Sequence, residues 1–193
     1  MLDFSLGLAL YDLVPFALTA LASLFVSRVV RELAPSHQLM AALGGVLVIA
    51  GGLSKATWKL IAAAQGVDLV WLANALFPLM APGFALLAVA VWAGVRALRG
   101  RRAGFGWPVA LGLILIAFAA AAVRHWWLDI PRGWFLPLLV LVSLGNLTVS
   151  LLLIRAAFQL RRWWSVALFS VNLAMIFALQ PIAMASPKTI AMH

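Results

Sequence analysis

Residues 69–95 read LVWLANALFPLMAPGFALLAVAVWAGV and contain no Asp, Glu, Lys or Arg. This run is longer than the ~20 apolar residues that an α-helix needs to cross ~30 Å of hydrocarbon. Because that layer holds no water, the backbone must satisfy its own hydrogen bonds, and a helix does so within one segment. The stretch therefore predicts a transmembrane helix.

The composition extends this prediction to the whole chain. Of its 193 residues, 66% are hydrophobic and 10% are charged, against roughly 45–50% and 25% in soluble domains. A soluble domain of this size leaves about 30% of its unfolded surface exposed to water, so it cannot hide this much apolar surface. A soluble globular fold and intrinsic disorder are both excluded. We expect a single integral membrane domain over residues 1–193.

Six segments have the length and apolarity of membrane spans. Asp3 precedes the first of them and Arg28 and Arg31 follow it, an order that argues against a cleaved signal peptide. The sequence predicts an all-α, compact bundle of six transmembrane helices. Its approximate spans are 4–27, 39–60, 69–95, 106–127, 134–154 and 163–185.

The distribution of basic residues predicts how the bundle is oriented. The loops after spans one, three and five carry nine Lys and Arg residues, against five on the other side. Since Lys and Arg accumulate on the cytoplasmic side, both termini should lie outside. Pro15, Pro78 and Pro137 each lie in the outer part of an inward-running span. This repetition favours three helical hairpins over two inverted halves. We expect a multi-pass protein of a bacterial cytoplasmic (inner) membrane.

The sequence lacks the residue motifs that most kinds of enzyme require. The sequence has no phosphate-binding loop, no GxGxxG, no GxSxG and no HExxH motif. Glu32 is the only glutamate, and cysteine is absent. We therefore predict no catalytic residues and no metal site, and the sequence identifies no cofactor. His37 is expected on the opposite side from His125 and His193, which argues against a bis-histidine haem.

The net charge of +9 does not indicate nucleic-acid binding. The basic residues stand in short clusters between apolar spans, which is typical of loops that face anionic lipid headgroups. The predicted partners are the lipid bilayer, with either further copies of the chain or other membrane subunits.

The third span contains the most unusual polar and backbone-disrupting residues: Asn74, Pro78, Pro82 and Gly83. Proline lacks a backbone donor, so this segment should kink or break the helix. Discontinuous helices of this kind form substrate sites in transporters. The alternative is a kink that only shapes packing, with Asn74 as a helix N-cap.

Charged residues within the first two spans are further candidates. An acid at the depth of Asp12 suggests a functional site, although Asp12 also suits a helix cap ahead of Pro15. Lys55 and Lys59 lie one helical turn apart near the outer end of span two, where snorkelling to the interface is the simpler interpretation. Pairing of Lys55 with Asp12 or Asp68 is the alternative.

Asn146 and Asn172 lie near the middle of spans five and six. Interhelical hydrogen bonding is the simpler role for such residues. The alternative is a polar lining for a conduction path.

In length, six spans, external termini and possible hairpins, the chain resembles the acid-activated urea and amide channels. The resemblance is one of architecture. The membrane glutamate and Trp-rich motif in the closing spans of that family are missing here, so no residue role is carried over.

The sequence favours a small-solute or ion channel or transporter, with its path bounded by spans one, two, three and five. A non-catalytic lipid- or cofactor-binding subunit of a larger membrane assembly is the alternative. A membrane-embedded enzyme is the third and least favoured possibility.

Overall fold

The computed structural model describes residues 13–102, 104, 106–171 and 173–174. Every regular element in this part of the chain is helical, which confirms the predicted all-α class. The helices are α1 (Leu13–Leu33), α2 (Gln38–Gln65), α3 (Val70–Asn74), α4 (Leu76–Leu98), α5 (Gly106–Ala122), α6 (Phe135–Gln159) and α7 (163–171).

Four helical stretches among the described residues have the length and apolarity to cross a membrane. They are Pro35–Gln65, Val70–Leu98, Gly106–Trp127 and Phe135–Gln159, and they match the second to fifth predicted spans. The length and apolarity of these helices are those of an integral membrane protein. Parts of the first and sixth predicted spans lie outside the described residues, so the count of six stays a prediction.

The chain divides into two compact units, Met1–Val149 and Ser150–His193. The centre of the first unit is α4, whose buried residues extend from Ala81 to Val95. It packs most extensively against α2 and also contacts α1 and α5. One cluster of its core joins α4, α5 and the first part of α6 through Ala81, Ala85, Ala117, Ala121, Leu138 and Leu141.

In the second unit, a tight turn joins the end of α6 to α7. Arg161 has a φ of 54°, and the N–H of Arg162 donates to the Ala157 carbonyl at 2.9 Å. The rings of Phe158 and Trp163 meet edge to face with centroids 5.2 Å apart. This contact packs the two helix ends together.

Small residues let α1 approach α2. The Ser27 hydroxyl donates to the Ser23 carbonyl at 2.8 Å and to the Ala41 carbonyl of α2 at 3.2 Å. A Cβ at Gly45 would lie 3.4 Å from the Ser23 Cβ. Arg28 and Arg31 fall inside the last turns of α1, whereas the apolar pattern predicts the end of span one at residue 27. The helix continues because a charged residue at a membrane surface does not break it.

The sequence predicts a kink or break between Pro78 and Gly83, but α4 runs through both prolines without a break. The interruption lies earlier, at Ala75, between α3 and α4. Pro78 has no N–H to bond the Asn74 carbonyl, and it lies in the first turn of α4, where backbone N–H groups have no intrahelical acceptor. Asn74 therefore ends α3, and Ala75 occupies the N-cap position of α4.

Candidate functional site

Glycines of α2 and α4 make a close helix contact in the first unit. A Cβ at Gly44 would lie 2.8 Å from the Gly83 carbonyl oxygen, and a Cβ at Gly83 would lie 3.0 Å from the Gly44 carbonyl oxygen. Two turns along α2, a Cβ at Gly51 would lie 3.0 Å from the Leu76 carbonyl oxygen. The two backbones are therefore in direct contact, as in small-residue interfaces of membrane helices.

A cleft of about 270 Å³ lies beside this contact, where α1 begins, α2 approaches its end and α4 begins. Val48 and Ala56 form buried parts of its wall, whereas the side chain of Lys55 is exposed. The cleft therefore has an apolar interior and a cationic side. Its lining residues are Phe16, Thr19, Val48, Gly52, Lys55, Ala56, Lys59, Leu76 and Met80.

The polar groups of the cleft wall are two ammonium groups and one hydroxyl. Lys55 and Lys59 lie on one face of α2 at helical i,i+4 spacing. Both lysines and Thr19 also interact with other groups of the protein. Among the described residues that line the cleft, none carries a carboxylate, an imidazole or a thiol. Ammonium groups and a hydroxyl can donate hydrogen bonds to a ligand that carries acceptor oxygens.

Gly52 sets the width of the cleft between α1 and α2. A Cβ at this position would lie 3.1 Å from Cδ2 of the Phe16 ring, which is closer than ordinary van der Waals contact. The aromatic ring of Phe16 can therefore lie directly against the α2 backbone. An added methyl group would push the ring aside and change the shape of the cleft.

The hydrogen bond next to the cleft end of α2 fixes the following loop. Trp58 Nε1 donates to Asp68 Oδ1 at 2.7 Å. Gly66 ends α2 with a φ of 67°, a left-handed conformation that favours glycine. Asp68 therefore holds the indole of Trp58, and the sequence-based alternative of a Lys55–Asp68 pair is not seen among the described contacts.

The residues predicted as a solute path from the sequence do not all meet. Lys55 lines the cleft, and Pro78 and Pro82 flank its wall residue Met80. Gly83 is buried in the contact with Gly44.

The remaining candidates lie elsewhere or beyond the described part. Asn74 is exposed at the end of α3, and Asn146 is half-buried in α6 beside Gly145, which packs against the Phe84 backbone. Asp12 and Asn172 lie outside the described residues.

Sequence reasoning missed seven wall residues of the cleft: Phe16, Thr19, Val48, Gly52, Ala56, Leu76 and Met80. The i,i+4 spacing of Lys55 and Lys59 did indicate the cationic side of the cleft, because residues at this spacing share one face of a helix. The sequence of an apolar helix does not show which of its faces contacts a neighbouring helix. The cleft residues on α1 and α4 could therefore not be predicted from the sequence.

Two further polar features lie away from the cleft. His37, in the turn between α1 and α2, is only 5% exposed, and its Nδ1 lies 3.0 Å from the Ser36 Oγ. A Cβ at Gly106 would lie 2.6 Å from His37 Nε2, so the ring packs against the start of α5. The Arg96 guanidinium lies over the Trp92 ring, 4.8 Å from its centroid. These contacts anchor the ends of helices.

Comparison with protein-family models, with curated proteins and with solved structures finds nothing that matches this chain.

Proposed function

We propose that this protein is a small-solute transporter of a bacterial cytoplasmic membrane and that the cleft between α1, α2 and α4 is its solute site. The observation that carries the proposal is the position of Lys55 in the cleft wall, within a helix of membrane-spanning length. An ammonium group at the bilayer centre costs roughly 2.5–3.5 kcal/mol and less towards the interface. Cations inside membrane spans commonly belong to solute or ion pathways.

In the proposed arrangement, the two lysines of α2 lie at different depths in the membrane. Its 28 residues are about 42 Å long at 1.5 Å per residue, about 12 Å more than the hydrocarbon thickness of ~30 Å. A helix centred in the membrane therefore extends about 6 Å beyond each surface. Lys59 is about 9 Å from the end of the helix at Gln65, and Lys55 is about 15 Å from it. Lys59 lies close to the interface in this arrangement, and Lys55 lies inside the hydrocarbon layer.

The contact between α2 and α4 favours a transporter over an open channel. Beyond the cleft, the backbones of these helices meet at Gly44 and Gly83, leaving no room for a solute between them. Passage of a solute along this route therefore needs a change in the relative position of α2 and α4. Pro82, inside α4, provides a point of weakness because the Pro78 carbonyl receives no helical hydrogen bond from it.

The proposal includes the arrangement in the membrane. It has six spans in three hairpins, with both termini outside and the cleft opening to the outside, and it includes self-association. The nine-to-five distribution of basic residues supports this orientation.

The test is solute flux into proteoliposomes that contain the full chain. We expect uptake of a small solute above the rate of empty liposomes, and its loss in Lys55→Met. Arg99→Met removes an exposed cation from the C-cap of α4, away from the cleft, and should keep wild-type uptake. Equal uptake in Lys55→Met and wild type would exclude the cleft as the path.

A non-catalytic, lipid-binding subunit of a larger assembly is the second candidate function. It is favoured by the helical stretch Gly106–Trp127, of which only 22% of the apolar window is buried within the protein. This exposed apolar surface suits contact with lipid or with another chain. Co-purification of a stoichiometric second subunit from native membranes, together with absent flux from the isolated chain, would support this function over transport.

A further inference from the structure

We propose that the cleft binds a small organic monoanion, with a carboxylate head and an apolar body of about six to eight carbons. This inference deepens the proposed function by naming a class of solute. Its test measures binding rather than flux, so the two proposals can fail independently.

The polar groups of the cleft select for a ligand that supplies hydrogen-bond acceptors. Each lysine ammonium has three N–H donors and no acceptor, so one interaction within the protein does not exhaust it. No described lining residue carries a carboxylate that would compete for these donors. Charge-assisted hydrogen bonds to an anionic oxygen are roughly twice as strong as neutral ones.

The spacing of the ammonium groups suits one compact anionic head. Lys55 and Lys59 are one turn apart on α2, so their Cβ atoms are about 5–6 Å apart. Two long, flexible side chains at this spacing can converge on the two oxygens of a single carboxylate.

The other walls select for an apolar body. Six of the nine lining residues have no polar side-chain atom: Phe16, Val48, Gly52, Ala56, Leu76 and Met80. An aromatic ring and a thioether face the same space, and both adapt well to alkyl or aryl groups. A simple inorganic anion would leave these walls without a partner, so the cleft favours an amphipathic ligand.

The volume limits the size of that ligand. A space of about 270 Å³ corresponds to about nine water-sized groups at ~30 Å³ each. A carboxylate with a body of six to eight carbons has this size, whereas the chains of a membrane phospholipid are several times larger. The free organic acid is therefore the proposed occupant, and a lipid headgroup is the competing source of an anionic oxygen.

The experiment is calorimetric titration of the full chain in phosphatidylcholine nanodiscs. The probes are octanoate and benzoate, with octanol and octylammonium as matched ligands that lack the negative charge. We expect saturable binding of octanoate or benzoate, with affinity at least tenfold above that of octanol and octylammonium. Equal affinity for octanol and octanoate would overturn the proposal, because the lysines would then play no part.

Variants of the wall locate the binding site. Lys55→Met and Lys59→Met should each weaken octanoate binding about tenfold or more, and Lys55→Arg should retain most of it. Gly52→Ala should weaken benzoate more than octanoate, because a displaced Phe16 ring leaves less width for a planar ligand. Arg99→Met, outside the cleft, should bind as wild type does. Unchanged octanoate affinity in both methionine variants would place the ligand elsewhere and overturn the proposal.

A final comparison distinguishes a free acid from a lipid headgroup. In nanodiscs that contain phosphatidylglycerol, octanoate should still bind with an affinity within about threefold of that in phosphatidylcholine. If phosphatidylglycerol abolishes octanoate binding in proportion to its content, the cleft is a lipid headgroup site and the proposal is wrong. Octanoate binding without octanoate flux would support the proposed binding site and contradict the proposed transport function.

Discussion

Gly44 shows how strongly single residues control the packing of this protein. In Gly44→Ala, the new Cβ would lie 2.8 Å from the Gly83 carbonyl oxygen and 3.0 Å from the Leu87 nitrogen. Both neighbours are backbone atoms and cannot rotate away. We expect a loss of about 1–3 kcal/mol in the free energy of unfolding, typical of overpacking, and a lower Tm in detergent.

Gly112→Ala is the matched control for this substitution. Gly112 also lies inside a helix, α5, but nothing lies within 4 Å of its would-be Cβ. Replacing a helical glycine with alanine there should be neutral or stabilise by about 0.5–1 kcal/mol. Equal melting temperatures for Gly44→Ala and wild type would show that the α2–α4 contact is looser than described.

Asp12 and Lys55 provide a second prediction about single side chains. If they pair, Asp12→Asn and Lys55→Met should each lower the Tm, and the double variant should be milder than the sum of both. Breaking a buried pair costs about 3–5 kcal/mol, but Lys55 is exposed, so we expect less. A double-mutant thermal cycle measures this. Strictly additive losses would mean that Asp12 is a helix cap and that Lys55 snorkels independently.

Helix α4 joins the packing of the core to the proposed site. Its buried part, from Ala81 to Val95, is central to the first unit, and its first two turns carry the cleft residues Leu76 and Met80. Pro82 separates the two parts. A rearrangement at Pro82 therefore moves the cleft wall relative to α2 while the core stays in place.

Pro82→Ala tests this coupling. The alanine N–H can donate to the Pro78 carbonyl, and an interior proline costs about 3 kcal/mol in a helix, so the variant should fold with an unchanged or higher Tm. We expect octanoate binding and solute flux to fall several-fold, because a straighter α4 shifts Leu76 and Met80. Wild-type binding and flux in the variant would show that Pro82 only shapes packing.

The sequence predicted the positions of the helices better than it predicted which helix faces contact one another. The four spans that the structure describes match their predicted segments because a long, mainly apolar run has one favourable conformation in lipid. The ends were less accurate, since Arg28 and Arg31 continue α1. The sequence makes Gly83 a candidate either for a substrate site or for packing, and in the structure it packs on Gly44. A glycine in an apolar helix suits a hinge or a close contact equally well, and only the partner helix decides between them.

The first unit has two chemically different ends. The end with the cleft carries exposed tryptophans, with Trp126 81% and Trp127 84% exposed, whereas α1 and α4 finish with arginines at the other end. Tryptophan marks membrane interfaces on both sides, but clustered arginine marks the cytoplasmic one. Under the positive-inside rule, this distribution favours the proposed orientation, in which the cleft opens towards the outside.

Reporter fusions to the full chain test this orientation. Fusions after Arg102 and Arg162 should behave as cytoplasmic, and fusions after Gly66 and Arg132 as external, because nine of the fourteen Lys and Arg residues lie in the loops assigned to the cytoplasm or in the helix ends next to them. An alkaline phosphatase reporter is active outside the cell, and a green fluorescent reporter is fluorescent inside it. Each fusion position should therefore give a signal with one of the two reporters and no signal with the other. Opposite labelling at two or more of the four positions would invert or break the topology. An inverted topology would turn the cleft of the described state towards the cytoplasm.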